Sequence, residues 1–167
     1  EVELYTGKDI SEYIPFIQSC LTFFDEHYQY LARQRGRKAL DENGHLVLYP
    51  GSACETYKMA YNATSTIAGL TTIVTRLLSL PSKYLSMEGR DRWRSLLGRI
   101  PPISFREFTG YKTIAPALHW ERINNTETPQ LYPVFPWGLY GLGKPGLDVA
   151  VNTYRYDPDA LRFRSHT

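Results

Sequence analysis

Apolar side chains at Ile10, Ile14, Ile17, Leu21, Phe24, Tyr28 and Leu31 recur at alternating steps of four and three, the spacing of one face of a long helix. Asp9 or Ser11 can cap its start, Pro15 is tolerated only within the first turn, and Gly36 is a natural stop. A second stripe of this kind predicts a helix from about Thr66 to Leu80, with Ile67, Leu70, Val74, Leu77 and Leu78 inward and Pro81 ending it. A shorter helix holds Trp93, Leu96 and Leu97, closed by Pro101-Pro102. A fourth begins at Leu147 or Asp148 and runs through Val149, Ala150 and Val151 toward Tyr154.

Between the helical stretches the pattern changes. Asp41-Glu42-Asn43-Gly44 is a turn signal, and His45-Leu46-Val47-Leu48-Tyr49 after it reads as a short strand running into Pro50-Gly51-Ser52. Phe105 to Ala117 alternates weakly around Gly110, as a strand or hairpin would. From His119 to Pro145 proline and glycine interrupt the backbone while Trp120, Tyr132, Phe135, Trp137 and Tyr140 crowd in, the composition of a site-forming loop.

At 167 residues and 43% hydrophobic content the chain can bury one ordinary core. With 19 Lys and Arg against 17 Asp and Glu, its net charge of +2 is a weak field, and no run of five like charges marks a nucleic-acid surface. The richest basic stretch, Arg33 to Lys38, ends a predicted helix, where cations meet the negative end of the dipole. No run reaches the apolar length of a membrane span, and the opening at Glu1 suggests an N-terminus that lies further upstream. Cys20 and Cys54 allow at most one disulfide. The histidines at 27, 45, 119 and 166 are scattered, no zinc or EF-hand spacing appears, and neither metal nor cofactor is expected. No Gly-x-Ser-x-Gly marks a serine hydrolase. Sequons at Asn62-Ala63-Thr64 and Asn124-Asn125-Thr126 favour a secreted or extracellular protein.

Sugars present hydroxyls to polar groups and ring faces to flat aromatics, so a sugar cleft mixes carboxylates with Trp and Tyr. Two regions here have that mixture. Glycosidic cleavage commonly needs two carboxyls, one to protonate the leaving oxygen and one to activate water or attack the anomeric carbon. Glu55 follows a Pro-Gly-Ser turn, and its neighbours Cys54, Tyr57 and Met59 could desolvate it toward a general acid; a helix N-terminal carboxylate is the alternative. Glu127 is the candidate base or sugar ligand. Tyr57, His119, Trp120, Glu121, Arg122 and Trp137 are candidate substrate contacts, the competing reading being core rings and solvated loop charges.

The run Leu40 to Tyr57, with Pro50-Gly51-Ser52-Ala53-Cys54-Glu55 at its centre, and the run Glu127-Thr128-Pro129-Gln130-Leu131-Tyr132-Pro133-Val134-Phe135-Pro136-Trp137 resemble secreted six-hairpin glycosidases similar to the alpha-L-fucosidase family. The resemblance runs from the first helix to Tyr154. It implies a mainly α fold, a partial (α/α)6 toroid with short strands and long site-forming loops, in which residues 1–167 are part of one catalytic domain. It also implies inverting hydrolysis of a carbohydrate substrate, with Glu55 at the position of the general acid. Those relatives carry Ser-Pro-Glu where this chain has Ala53-Cys54-Glu55, a difference that favours a non-catalytic carbohydrate-binding or scaffold module as the alternative. A polysaccharide lyase on a similar toroid is a further one. Twelve helices of about 11 residues with loops of about 5 need on the order of 190 residues, so a parent chain would be needed to complete the barrel.

Overall fold

The computed structural model describes residues 2–162; Glu1 and residues 163–167, His166 among them, lie outside the described part. In chain order the elements are helix α1 (Val2–Thr6), helix α2 (Ile14–Gln34), strands β1 (Gly51–Ala53) and β2 (Tyr57–Ala60), helices α3 (Thr64–Ser79) and α4 (Met87–Arg99), strands β3 (Phe105–Phe108), β4 (Tyr111–Ile114) and β5 (Arg122–Ile123), and helices α5 (Leu147–Tyr156) and α6 (Pro158–Arg162). Strands β1, β2 and β5 form one antiparallel sheet in that order, and β3 pairs with β4 as a hairpin.

The long stripe near the N-terminus becomes α2, with Pro15 held in the first turn, where the amide it lacks would have had no partner. Gly36, at φ +65°, lets the chain leave the helix: its own N–H donates to the Arg33 carbonyl (2.9 Å) and the Arg37 N–H to the Ala32 carbonyl (2.9 Å). Helix α4 begins at Ser86, whose hydroxyl accepts the Gly89 N–H at 3.1 Å. Helix α3 starts two residues earlier than its apolar period suggests. Its opening is fixed from elsewhere in the chain, the Thr64 N–H and hydroxyl donating to the carbonyls of Pro116 (2.9 Å) and Ala115 (2.6 Å).

Ile14 and Leu21 of α2, Ile67, Leu70, Val74 and Leu77 of α3, and Trp93 and Leu96 of α4 make one core with Leu46, Leu48, Tyr84 and Leu85. Helix α4 is tied to α2 by Trp93 Nε1–H donating to Gln18 Oε1 (3.1 Å) and by Arg99 donating to both Asp25 carboxylate oxygens. A second, smaller core gathers Ala53, Tyr57, Ala60, Ala63 and Ala117 under Trp120. Beside the β3–β4 hairpin, α5 packs on β4.

Two expectations are corrected. The fold is a mixed α and β arrangement, not a mainly α partial toroid. A toroid alternates inner and outer helices throughout, but here residues 51–60 and 105–114 are strands. Tight turns, at Cys54 to Thr56 and at Thr109-Gly110, reverse the chain where a helical hairpin would have to continue. The predicted strand at His45 to Tyr49 forms only the single bridge Leu40–Leu46. Leu46 and Leu48 are both buried, and their amides donate to the Arg99 carbonyl (2.8 Å) and to Asn62 Oδ1 (2.9 Å) instead of to a neighbouring strand. The hairpin lies a few residues further on, in β1 and β2.

Candidate functional site

Glu55 occupies the turn between β1 and β2, one residue after Cys54, whose φ of +51° places a non-glycine residue in the left-handed region. The loop at 124–127 fastens this turn from outside. The Glu55 N–H donates to Glu127 Oε2 (2.9 Å), the Thr56 hydroxyl donates to the Glu127 carbonyl (3.1 Å), and the Asn124 N–H donates to the Thr56 carbonyl (2.8 Å). Asn125 Nδ2 in turn donates to Glu55 Oε2 at 3.0 Å. The Glu127 carboxylate is therefore fastened to the backbone of Glu55, although 72 residues separate the two. Glu55 is exposed, so the desolvation expected from Cys54, Tyr57 and Met59 does not reach it; Glu127 is half-buried.

Next to this turn lies a cleft of about 380 Å³, lined by Phe24 of α2, Ser52 and Cys54 of the hairpin, Ser65, Gly69 and Ile73 of α3, and Tyr132 and Trp137 of the long loop. Gly69 determines the depth of that wall. A Cβ there would meet Trp137 Cζ2 at 3.0 Å, so a side chain at this position would push the indole outward by a few tenths of an ångström. The Thr72 hydroxyl donates to the Trp137 carbonyl (3.2 Å) and holds the loop to the helix, while Trp137 Nε1 is buried with no acceptor. Trp137 also walls an adjoining cleft of about 240 Å³ with Thr72, Thr75, Arg76, Ser79 and Lys144.

Burial pushes the Cys54 thiol up, which keeps it neutral and unreactive near pH 7. The Tyr132 hydroxyl is pushed up to about 12, first by burial and then by the adjacent Cys54. Glu127 contributes to both shifts through its charge, as Glu55 does for Cys54. Both carboxylates thus act electrostatically on the cleft lining.

The other sequence candidates divide. Trp137 lines the cleft as expected. Tyr57 is fully buried and cannot contact a ligand there; its ring meets Trp120 edge-on at 5.2 Å, and burial pushes its hydroxyl far up. Trp120 itself lies between that ring and the Arg106 guanidinium, 5.7 Å from its centroid, so it serves the second core. His119 and Glu121 are exposed and belong to a separate group. The His119 carbonyl accepts the Tyr61 N–H (2.8 Å), its ring meets Tyr61 edge-on at 6.5 Å, and the Glu121 N–H donates to the Lys58 carbonyl (3.1 Å). Arg122 is an exposed β5 residue paired in register with Lys58.

Sequence reasoning missed Phe24, Gly69 and Asn125 as parts of the site. Gly69 had a signal, a glycine inside an apolar helical stretch, which marks a close approach. Asn62 of the first sequon is buried with Oδ1 committed to Leu48, whereas Asn124 of the second is exposed. Cys20 and Cys54 are both free. Among the described residues no three His, Cys, Asp or Glu side chains cluster to hold a metal ion, and no helix is long and apolar enough to cross a membrane. Compared with family models, with curated proteins and with solved structures, the chain matches none, so its functional reading rests on the residues and geometry of the cleft.

Proposed function

We propose that the chain binds a carbohydrate in the cleft walled by Trp137, Tyr132 and Phe24 and hydrolyses a glycosidic bond at its Glu55–Glu127 edge. The observation that carries this reading is that the turn bearing Glu55, fastened through its backbone to the Glu127 carboxylate, adjoins an aromatic cleft with hydroxyls at Ser52, Ser65 and Thr66, and that both charges act on Cys54 in its lining. Apolar ring faces of a sugar stack on the indole and the phenol. Beyond Trp137, Arg76 and Lys144 suit a sugar that bears an acidic group.

In the hydrolytic step Glu55 gives its proton to the leaving glycosidic oxygen as the C–O bond breaks. Glu127 takes a proton from the water that attacks the anomeric carbon, leaving a hydroxyl on each product. Secretion is part of the proposal, since extracellular polysaccharide is the natural substrate for such a cleft and Asn124 is open to glycosylation.

A specific observation favours a second reading, binding without turnover: one oxygen of Glu127 is committed to the Glu55 amide and one of Glu55 to Asn125. Hydrolysis of a panel of neutral and acidic oligosaccharides and aryl glycosides, measured with Glu55→Gln and Trp137→Ala alongside, separates the two. Turnover that falls 10²-fold or more in Glu55→Gln supports catalysis, as expected on removal of a general acid. Sugar binding lost in Trp137→Ala with no turnover in any form leaves the binding module. Neither turnover nor sugar binding overturns both.

A further inference from the structure

Helix α2, with the 3-10 turn Ser11–Tyr13 that leads into it, carries a second stripe besides the buried one. Tyr13, Phe16, Cys20, Phe23, His27 and Tyr30 follow one another at steps of three, four, three, four and three, and the aromatic members face solvent: Phe16 is 72% exposed, Tyr30 57%, and Tyr13 and Phe23 54% each. Isolated exposed rings are ordinary on any protein, but this row continues along one helix face for about 26 Å at 1.5 Å per residue. Its spacing is that of a heptad seam, with first positions at Tyr13, Cys20 and His27 and fourth positions at Phe16, Phe23 and Tyr30. Phe23 and His27 are already stacked, with ring centroids 4.6 Å apart, so part of the ridge is ordered before anything meets it.

We propose that this face pairs with the same face of a second copy of the chain, the two α2 helices running antiparallel. With the seam centred between Cys20 and Phe23, Tyr13 lies opposite the second copy's Tyr30, Phe16 opposite its His27, and Cys20 opposite its Phe23. Charge selects this occupant and this direction. The row that borders the seam is Glu12, Ser19, Glu26 and Arg33, and an antiparallel pairing sets Glu12 of each copy beside Arg33 of the other, giving two equivalent ion pairs from one sequence. A parallel pairing would gather both Glu12 side chains at one end and both Arg33 side chains at the other. On the other border Ile17 and Phe24 are packed against the chain's own core, so the seam is the exposed ridge alone.

Sedimentation velocity of the whole chain over a wide concentration range reads the association directly. A reversible monomer–dimer equilibrium is expected, with Phe16→Glu weakening it at least tenfold while far-ultraviolet circular dichroism stays unchanged, because Phe16 is exposed. Glu12→Arg weakens dimerisation, and adding Arg33→Glu to it restores affinity. Phe23→Cys in the presence of Cys20 gives a disulfide-linked dimer under mild oxidation. A disulfide-linked dimer of Tyr13→Cys in a Cys20→Ser background overturns the antiparallel register, which sets the two copies of position 13 about 26 Å apart along the seam. A monomer at every concentration overturns self-pairing and leaves the stripe to a different chain.

Discussion

The two cores bury their interiors by different means. Between α2, α3 and α4 the filling is large and apolar, with Trp93, Leu96, Leu21, Ile67 and Val74 all essentially inaccessible, and its few polar ties are at the edge. Around the sheet the apolar filling is mainly alanine, and the buried volume includes Thr56, Thr113, Thr128, Gln130, Thr153 and Asp157. Burial of apolar area stabilises the first in proportion to the area removed from water. The second depends on its ion pairs, since a charge taken from water is favourable only when paired. Arg106 supplies the pairing there, donating to Asp157 (2.7 and 2.8 Å) and Asp159 (2.9 Å), while Asp157 also accepts the Asp159 N–H (2.9 Å) at the start of α6.

Truncation of the largest buried side chain should have the largest effect. Trp93→Ala removes a fully buried ring and the hydrogen bond to Gln18, and is expected to lower unfolding free energy by about 4 kcal/mol, measured by urea denaturation. Arg106→Met tests the other core. It leaves Asp157, which is wholly inaccessible, without its cation and is expected to lower stability by about 3 kcal/mol. If Arg106→Met proves neutral, the sheet region is held by packing as the helical one is, and the contrast disappears.

That contrast also explains what could be read from the sequence. The helical core announces itself through periodicity, because large apolar residues at steps of three and four leave little freedom for another assignment; α2 to α5 all exist where the pattern puts them, although α2 starts at Ile14, past the caps expected at Asp9 or Ser11, and α3 two residues early. Alanines, threonines and a buried aspartate carry no such period, so only the hairpin around Gly110 is legible in the sequence, and the pairing of β1, β2 and β5 is not. Tyr57 and Trp120 were misassigned for the same reason. Aromatic rings beside charges look alike in a binding cleft and in a polar core, and only burial separates the two. Within the site, Glu55, Glu127 and Trp137 were legible as residue types next to turns. Their convergence was not, because the Glu55 amide to Glu127 contact spans 72 residues. The toroid expectation failed at its most local step, where residues 51–60 turn back as a hairpin instead of entering a helix.

The smallest effect is a titration, and it sharpens the comparison because each core buries a tyrosine. Burial raises the hydroxyl of Tyr57 in the sheet core and that of Tyr28 in the helical core, Tyr57 by far the more. A folded-state pKa above the unfolded value of about 10 means that the native state favours the protonated phenol. The resulting stability is fully present below pH 10 and is lost as pH rises through the folded values. The thermal unfolding midpoint of the unmodified chain should therefore fall between about pH 8 and about pH 11, and Tyr57→Phe should remove a clear part of that fall, Tyr132 carrying a comparable share. Tyr28→Phe should keep nearly the whole of it, since that ring is only partly enclosed. At pH 8 Tyr57→Phe costs at most about 1 kcal/mol, the worth of one contact between its hydroxyl and Gln130. An alkaline fall that persists undiminished in Tyr57→Phe would mean that the sheet core opens to water before its tyrosine titrates, making it the less closed of the two.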